Sequence, residues 1–165
     1  MPVSPNEYQK LDAKDLRILQ LVQRDGALSQ AEIAKKVGLS TAAVNERLRK
    51  LEAGGVIRRW TALVQPEAVG TSVTAFVEVF IENPRFEAGF LERVGRLDEV
   101  QECHHVTGEF SLLLKVRVRD MASLQRLLLE QLAAHEGVRQ TRTVMVLSTV
   151  KEETYVEPRT RGVEP

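Results

Sequence analysis

Cysteine is nearly absent from this chain: Cys103 is the one thiol in 165 residues. A single thiol excludes an internal disulfide framework and fits a reducing compartment. No apolar run approaches membrane-spanning length, and the start, Met1-Pro2-Val3-Ser4-Pro5-Asn6-Glu7, lacks the apolar core of a signal peptide. A cytoplasmic protein is expected. The P-loop, G-x-G-x-x-G and G-x-S-x-G patterns are missing as well. Net charge is also absent, with 23 Lys+Arg against 23 Asp+Glu. That balance would argue against a nucleic-acid partner, but it is the sum of two unlike parts. Residues 1–64 carry 11 basic and 7 acidic side chains, and residues 65–165 carry 12 and 16, so the parts stand at +4 and −4. Such asymmetry points to a nucleic-acid-binding segment at the N-terminal end.

That segment has a readable organisation. Leu11-Asp12-Ala13-Lys14-Asp15-Leu16 opens a helix capped by Asp12, with Leu16, Leu19 and Leu21/Val22 inward and Gly26 at its end. Ser29 and Glu32 form an S-x-x-E capping box, with Leu28 and Ile33 placed as a hydrophobic staple. Ala31, Ala34 and Val37 mark a buried face, and Gly38 supplies a left-handed helix end. Ser40 caps the next helix, in which Val44, Leu48 and Leu51 fall on one side. Ala42, Asn45, Glu46, Arg49 and Lys50 are left facing outward, with Arg47 on the flank. A helix–turn–helix of this kind lays its second helix in the DNA major groove. Arg49 and Asn45 are expected to read bases, and Lys50, Arg47 and Arg58 to meet phosphates. Ser40 and Thr41, at the start of the helix, complete the candidate DNA-binding set. After Gly54-Gly55, residues 56–64 alternate with β-branched and aromatic side chains and predict a strand, which would make the module winged.

Residues 65–70 have the composition of a linker. From Thr71 the periodicity changes to a strand containing Val73 to Ile81, then a helix after Pro84 with Phe86, Phe90, Val94 and Leu97 inward. Strands over Val100–Val106 and Phe110–Val118 follow. A helix capped by Asp120 then carries Met121, Leu124, Leu128 and Leu132 inward, and a strand covers Val138–Val150. The order β-α-β-β-α-β is that of the ferredoxin-like split motif. Phe76 and Phe80 lie opposite to Val77 and Val79 on the first strand, so both sheet faces are apolar and both need a cover. Two helices cover one face. A second copy of the chain is the economical cover for the other, and a two-fold dimer matches a palindromic operator.

The segments Leu11-Asp12…Asp15…Ile18-Leu19, Ala34-Lys35-Lys36-Val37-Gly38-Leu39-Ser40, Arg47 to Glu52 with Gly55-Val56-Ile57, and Glu102-Cys103-His104…Val106-Thr107-Gly108-Glu109-Phe110 together resemble the Lrp/AsnC (feast–famine) family of transcription regulators. The match runs over residues 11–153. It implies an α+β chain with a winged helix-turn-helix domain at 1–64, a linker at 65–70, a ferredoxin-like RAM/AsnC-type domain at 71–153 for effector binding and oligomerisation, and a tail at 154–165. It further implies homodimers assembling to octamers, double-stranded DNA as partner, and an amino acid or related metabolite as effector. The effector-site residues implied are His105, Thr107, Gly108, Glu109, Phe110, Ser111, Met121, Val144 and Val146. Many members have an acidic residue where this chain has Ser111. The serine keeps an oxygen but loses the charge that would meet an amino-acid ammonium group.

Cys103-His104-His105 invites a metal or nucleophile reading. On a strand, however, Cys103 and His105 share one face and His104 points the other way. The remaining histidine, His135, stands alone, and zinc needs three or four ligands. No metal, cofactor or catalytic residue is expected. Two other readings stay open: a tetrapyrrole-decarboxylase-like enzyme on the same fold, and an architectural DNA-binding protein without an effector.

Overall fold

A computed structural model describes residues 11–159; the chain's first ten residues and the end of the expected tail lie outside it. The chain divides into two units, one of residues 1–63 with 151–165 and one of residues 64–150. The first therefore takes in the described part of the tail that the sequence set apart, residues 154–159.

In the first unit, α1 (Ala13–Arg24) is opened by a reciprocal capping box between Asp12 and Asp15, and α2 (Gln30–Val37) by one between Ser29 and Glu32. Each box satisfies two orphan N–H groups. Gly38 takes φ +66°, the left-handed end expected of α2. Ser40 then accepts a hydrogen bond from Ala43 N–H to cap α3 (Thr41–Ala53). The core of the three helices is Ile18, Leu19, Val22, Ile33, Ala34, Val37, Val44, Leu48 and Leu51. Two expectations change here. Ile18 replaces Leu16 as the fully buried residue of α1, and Ala31 is exposed because Ile33, Ala34 and Val37 carry the inner face of α2.

The strand expected over residues 56–64 does not form. Val56 and Ile57 pack on the helical core, and residues 58–64 continue without a sheet partner among the described residues. Alternating side chains favour an extended backbone, but a strand exists only where a neighbour takes its hydrogen bonds. Residues 151–159 form no regular element, yet they are tied to α1. Gln23 bonds the Val156 backbone through both its amide oxygen and its amide nitrogen, at 2.8 and 2.9 Å. Gln20 donates to Glu157 at 2.9 Å, and the Arg24 guanidinium lies 5.0 Å from the Tyr155 ring centre.

The second unit is the β-α-β-β-α-β fold read from the sequence. A 3-10 turn at Pro66–Val69 leads into β1 (Val73–Ile81), a further 3-10 turn at Pro84–Phe86, α4 (Glu87–Val94), β2 (Val100–His105) and β3 (Leu112–Val118). The last helix, α5, begins as Met121–Arg126 and widens into a π-type turn over Leu127–Ala133. The last strand is β4 (Val138–Met145). The sheet order is β2-β3-β1-β4, with all three pairings antiparallel. β4 ends at Met145 rather than Val150, close to where β1, its one sheet neighbour, begins. Alternate residues of β1 and β3, including Val77, Val79, Leu112, Leu114 and Val116, are fully buried beneath α4 and α5. Phe76, Phe80 and Leu113 occupy the other face and are only half-buried.

Met121 was expected inward and is 59% exposed. Leu127 is buried where Leu128 was expected and Leu128 is only partly buried, and Leu132 follows Leu127 five residues later. A spacing of five is out of phase with an α-helix and in phase with the wide turn found there.

Candidate DNA-binding and effector sites

The outer side of α3 is built by exclusion. Val44, Leu48 and Leu51 point into the core, so Thr41, Ala42, Asn45, Glu46, Arg49 and Lys50 are exposed. Ser40 keeps its side chain for the cap. Asn45 accepts a hydrogen bond from Gln30 at 3.2 Å, which ties the start of α2 to the exposed side of α3. Glu46 binds the Arg49 guanidinium in two places, Nε at 3.1 Å and Nη2 at 2.9 Å, and lies 3.5 Å from Lys50 Nζ. The Arg49 bond chiefly holds the Glu46 carboxyl below its ordinary range and raises the guanidinium in turn. Beside this face lies a cavity of about 410 Å³ lined by Leu28, Ile33 and Leu48, with Asn45, Arg49 and Trp60 among its other walls. The Trp60 indole donates to Glu52 at 2.6 Å, a contact the sequence did not suggest. Arg58 and Arg59 are exposed just before it.

Arg47 is placed differently from its expectation. Its Nη1 stands 2.7 Å from both Asp12 and Asp15, so the guanidinium bridges the capping box of α1 to α3. Asp12 is held below its ordinary range first by the Asp15 N–H and next by Arg47. The side chain is 30% exposed and committed to two carboxylates, so the phosphate contact expected of it gives way to a tie within the unit. Lys14 similarly donates to the Val37 carbonyl at the end of α2.

The effector candidates of the second unit fall into two groups. His105 ends β2, with its Nε2 3.0 Å from Glu87 of α4. Thr107, Gly108 and Glu109 lie exposed in the β2–β3 loop, where Gly108 takes φ +124° and Val106 N–H closes the loop on Ser111 O at 3.0 Å. Phe110 turns inward and is buried, with the Arg142 guanidinium 5.1 Å from its ring centre. Arg142 also pairs with Glu78 across the strands and feels the charge of Glu109. Ser111 Oγ is buried and has no hydrogen-bond partner among the described residues.

Met121, Val144 and Val146 are elsewhere. The loop joins β3 at Leu112, and Met121 follows the far end of the strand at Val118, roughly 20 Å away at the ordinary strand rise. Val144 lies beside Phe76 at the middle of the sheet, and Val146 N–H bonds Thr74 O, towards that far end. Within one chain Met121 and Val146 therefore lie away from the loop, and Val144 lies between. Arg142 was missing from the sequence reading; only its strand alternation opposite Glu78 signalled it.

Among the described residues no three His, Cys, Asp or Glu side chains could hold a metal ion. His104 and His105 each face a glutamate, Glu102 and Glu87 respectively. The Cys103 thiol is pushed up by burial and by the Glu87 charge, the opposite of what a nucleophile needs. No helix among the described residues is long and apolar enough to cross a membrane.

Comparison with known proteins accounts for both units. The family model described as winged helix-turn-helix DNA-binding matches residues 11–58, and that of the Lrp/AsnC ligand binding domain matches residues 74–156. The leucine-responsive regulatory protein of Escherichia coli is 41% identical over 153 residues, covering 92% of this chain and 93% of its own. A transcriptional regulator of Neisseria meningitidis, solved with L-Met, superposes with a TM-score of 0.84 at 33% identity, covering 88% of this chain and 96% of that one. The feast or famine regulatory protein of M. tuberculosis, complexed with L-methionine, gives a TM-score of 0.83 at 33% identity over 90% and 99% of the two chains. The chain belongs to the Lrp/AsnC family of DNA-binding transcription regulators.

Proposed function

We propose that the chain regulates transcription by laying α3 in the major groove of a palindromic operator, under the control of an amino acid or a related metabolite. The observation that carries this reading is the exposed side of α3, where Asn45, Arg49 and Lys50 project from a helix fixed by two caps and a buried seam. Arg49 and Asn45 read bases, and Lys50 and Arg58 meet phosphates. The protein works as a homodimer joined through the sheet face of Phe76, Phe80 and Leu113, and dimers assemble towards an octamer. It acts in the cytoplasm, catalyses no reaction and uses no cofactor. The exposed α3 face favours a regulator over a decarboxylase-like enzyme on the same fold.

The effector binds at the β2–β3 loop and is enclosed by residues of a second copy. The separation of Met121 and Val146 from that loop supports a shared site, since one chain does not bring them together with the loop. Two of the similar proteins were solved with L-methionine. In this chain the ammonium end of such a ligand would face Ser111, and a charge-assisted bond is roughly twice as strong as a neutral one. Binding of free amino acids is therefore weak unless Glu109 turns inward.

Two measurements test the proposal. Operators selected from a random duplex pool should lose affinity for Arg49→Ala by roughly 5- to 100-fold at one base position. Unchanged operator affinity would remove α3 from the groove. Calorimetry with a panel of amino acids should show Ser111→Asp tightening at least one. Tight wild-type binding that neither Ser111→Asp nor Glu109→Gln alters would place the ammonium group away from the loop.

A further inference from the structure

We infer that Glu46 is a positioning residue that fixes how Arg49 is presented to DNA, and that it directs the side chain to a guanine. The inference rests on α3 being the recognition helix.

An acidic side chain among the basic groups of a DNA-facing helix is a liability, because it repels the phosphates that supply most of the affinity. Glu46 is nonetheless exposed on that side, between Arg49 and Lys50. Its geometry gives it a use. The carboxylate takes Arg49 by the edge formed by Nε and Nη2, with Oε2 at 3.1 Å and Oε1 at 2.9 Å. Two parallel bonds between planar groups fix direction as well as distance. A guanidinium has five N–H donors in a rigid fork, and this pairing uses one edge of it. The end of the fork, with Nη1–H and the second Nη2–H, is left to face away from the carboxylate. Those two parallel donors match guanine O6 and N7, an acceptor pair that no other base offers in the major groove. Adenine puts an N6 donor beside N7 and would oppose the fork.

An unrestrained Arg49 has a long, flexible stem and would find any phosphate within reach. Held by Glu46, it gives up that freedom before binding. The cost is affinity for DNA in general, and the gain is discrimination between bases, which is a difference between affinities. Lys50 is not directed in this way: at 3.5 Å from Glu46 it has one loose contact and rotatable donors.

The test uses the full-length protein and the preferred operator obtained by selection from a random pool. Wild type, Glu46→Gln, Arg49→Ala and the double variant are titrated by fluorescence anisotropy against that operator, its single-base variants and random duplex. Circular dichroism confirms that each variant folds. Glu46→Gln should lower guanine discrimination by about 2- to 5-fold, the scale of an exposed ion pair, and at the base position that Arg49→Ala affects. Its affinity for random duplex should rise. The double variant should discriminate no worse than Arg49→Ala alone, because Glu46 acts through Arg49.

A Glu46→Gln loss at a base pair untouched by Arg49→Ala would overturn the inference and make Glu46 a direct reader. An equal loss on all sequences would make it a helix-stabilising residue, and no change would make the pair incidental. If Arg49→Ala itself leaves every affinity unchanged, the placement of α3 fails, and that result is distinct from these.

Discussion

Two glycines with similar backbones separate local strain from crowding at the scale of the residue. Gly70 takes φ +78° in open space, whereas Gly137 takes φ +86° with the Phe86 side chain 2.4 Å from where a Cβ would stand. Gly70→Ala should cost about 1 kcal/mol, the backbone penalty alone. Gly137→Ala should cost roughly 2–4 kcal/mol, because overpacking adds to it. Urea unfolding of the two variants checks the difference, and equal losses would mean that Phe86 moves aside freely. The same scale shows what a sequence can display. The Ser29–Glu32 box and the Ser40 and Asp120 caps are legible because their partners lie three residues away. The partners of Arg47 lie 35 and 32 residues upstream, so only folding reveals that its charge is already taken.

Elements are legible where periodicity alone forms them and illegible where a neighbour decides. The three N-terminal helices and four sheet strands follow from apolar spacing, whereas residues 56–64 have a strand's pattern and no strand's hydrogen bonds. The π-type turn in α5 is not legible in helical spacings of three and four, because Leu127 and Leu132 stand five apart. The start of that helix yields a pH prediction. Asp120 is lowered from 3.8 to about 2, first by the Ser123 N–H, then by the Ser123 hydroxyl and Arg119. A depressed carboxylate contributes stability above its unfolded value and loses it as pH falls through the folded one. Asp120→Asn keeps a capping oxygen and removes the charge. Its deficit in urea midpoint against wild type should be constant at neutral pH and should shrink as pH falls from 3.8 to about 2. A deficit independent of pH would assign the effect to cap geometry instead.

For the whole molecule, the sheet carries the strongest expectation. One face of β1 is fully buried by the helices, while Phe76 and Phe80 on the other are half-buried in the single chain. Phe80→Glu would place an unpaired charge in the proposed dimer face, a penalty of several kcal/mol. Light scattering should then report monomers or aggregates, and a folded oligomer of unchanged mass would show that the chain associates elsewhere. The effector site was legible only in part for the same reason. The loop residues are contiguous, but Met121 and Val146 lie towards the other end of the sheet in the single chain.

The bonds from Gln20 and Gln23 to Val156 and Glu157 also bear on how the protein is made. Domains fold as units while the chain is being synthesised. The three helices are complete once residue 53 has been added, and they have their own core. Residues 151–159, however, emerge only after the entire sheet domain. A nascent chain can therefore assemble the DNA-facing helices early and still lack the strap along α1. That final contact is gained only by chains in which the regulatory domain has been translated in full.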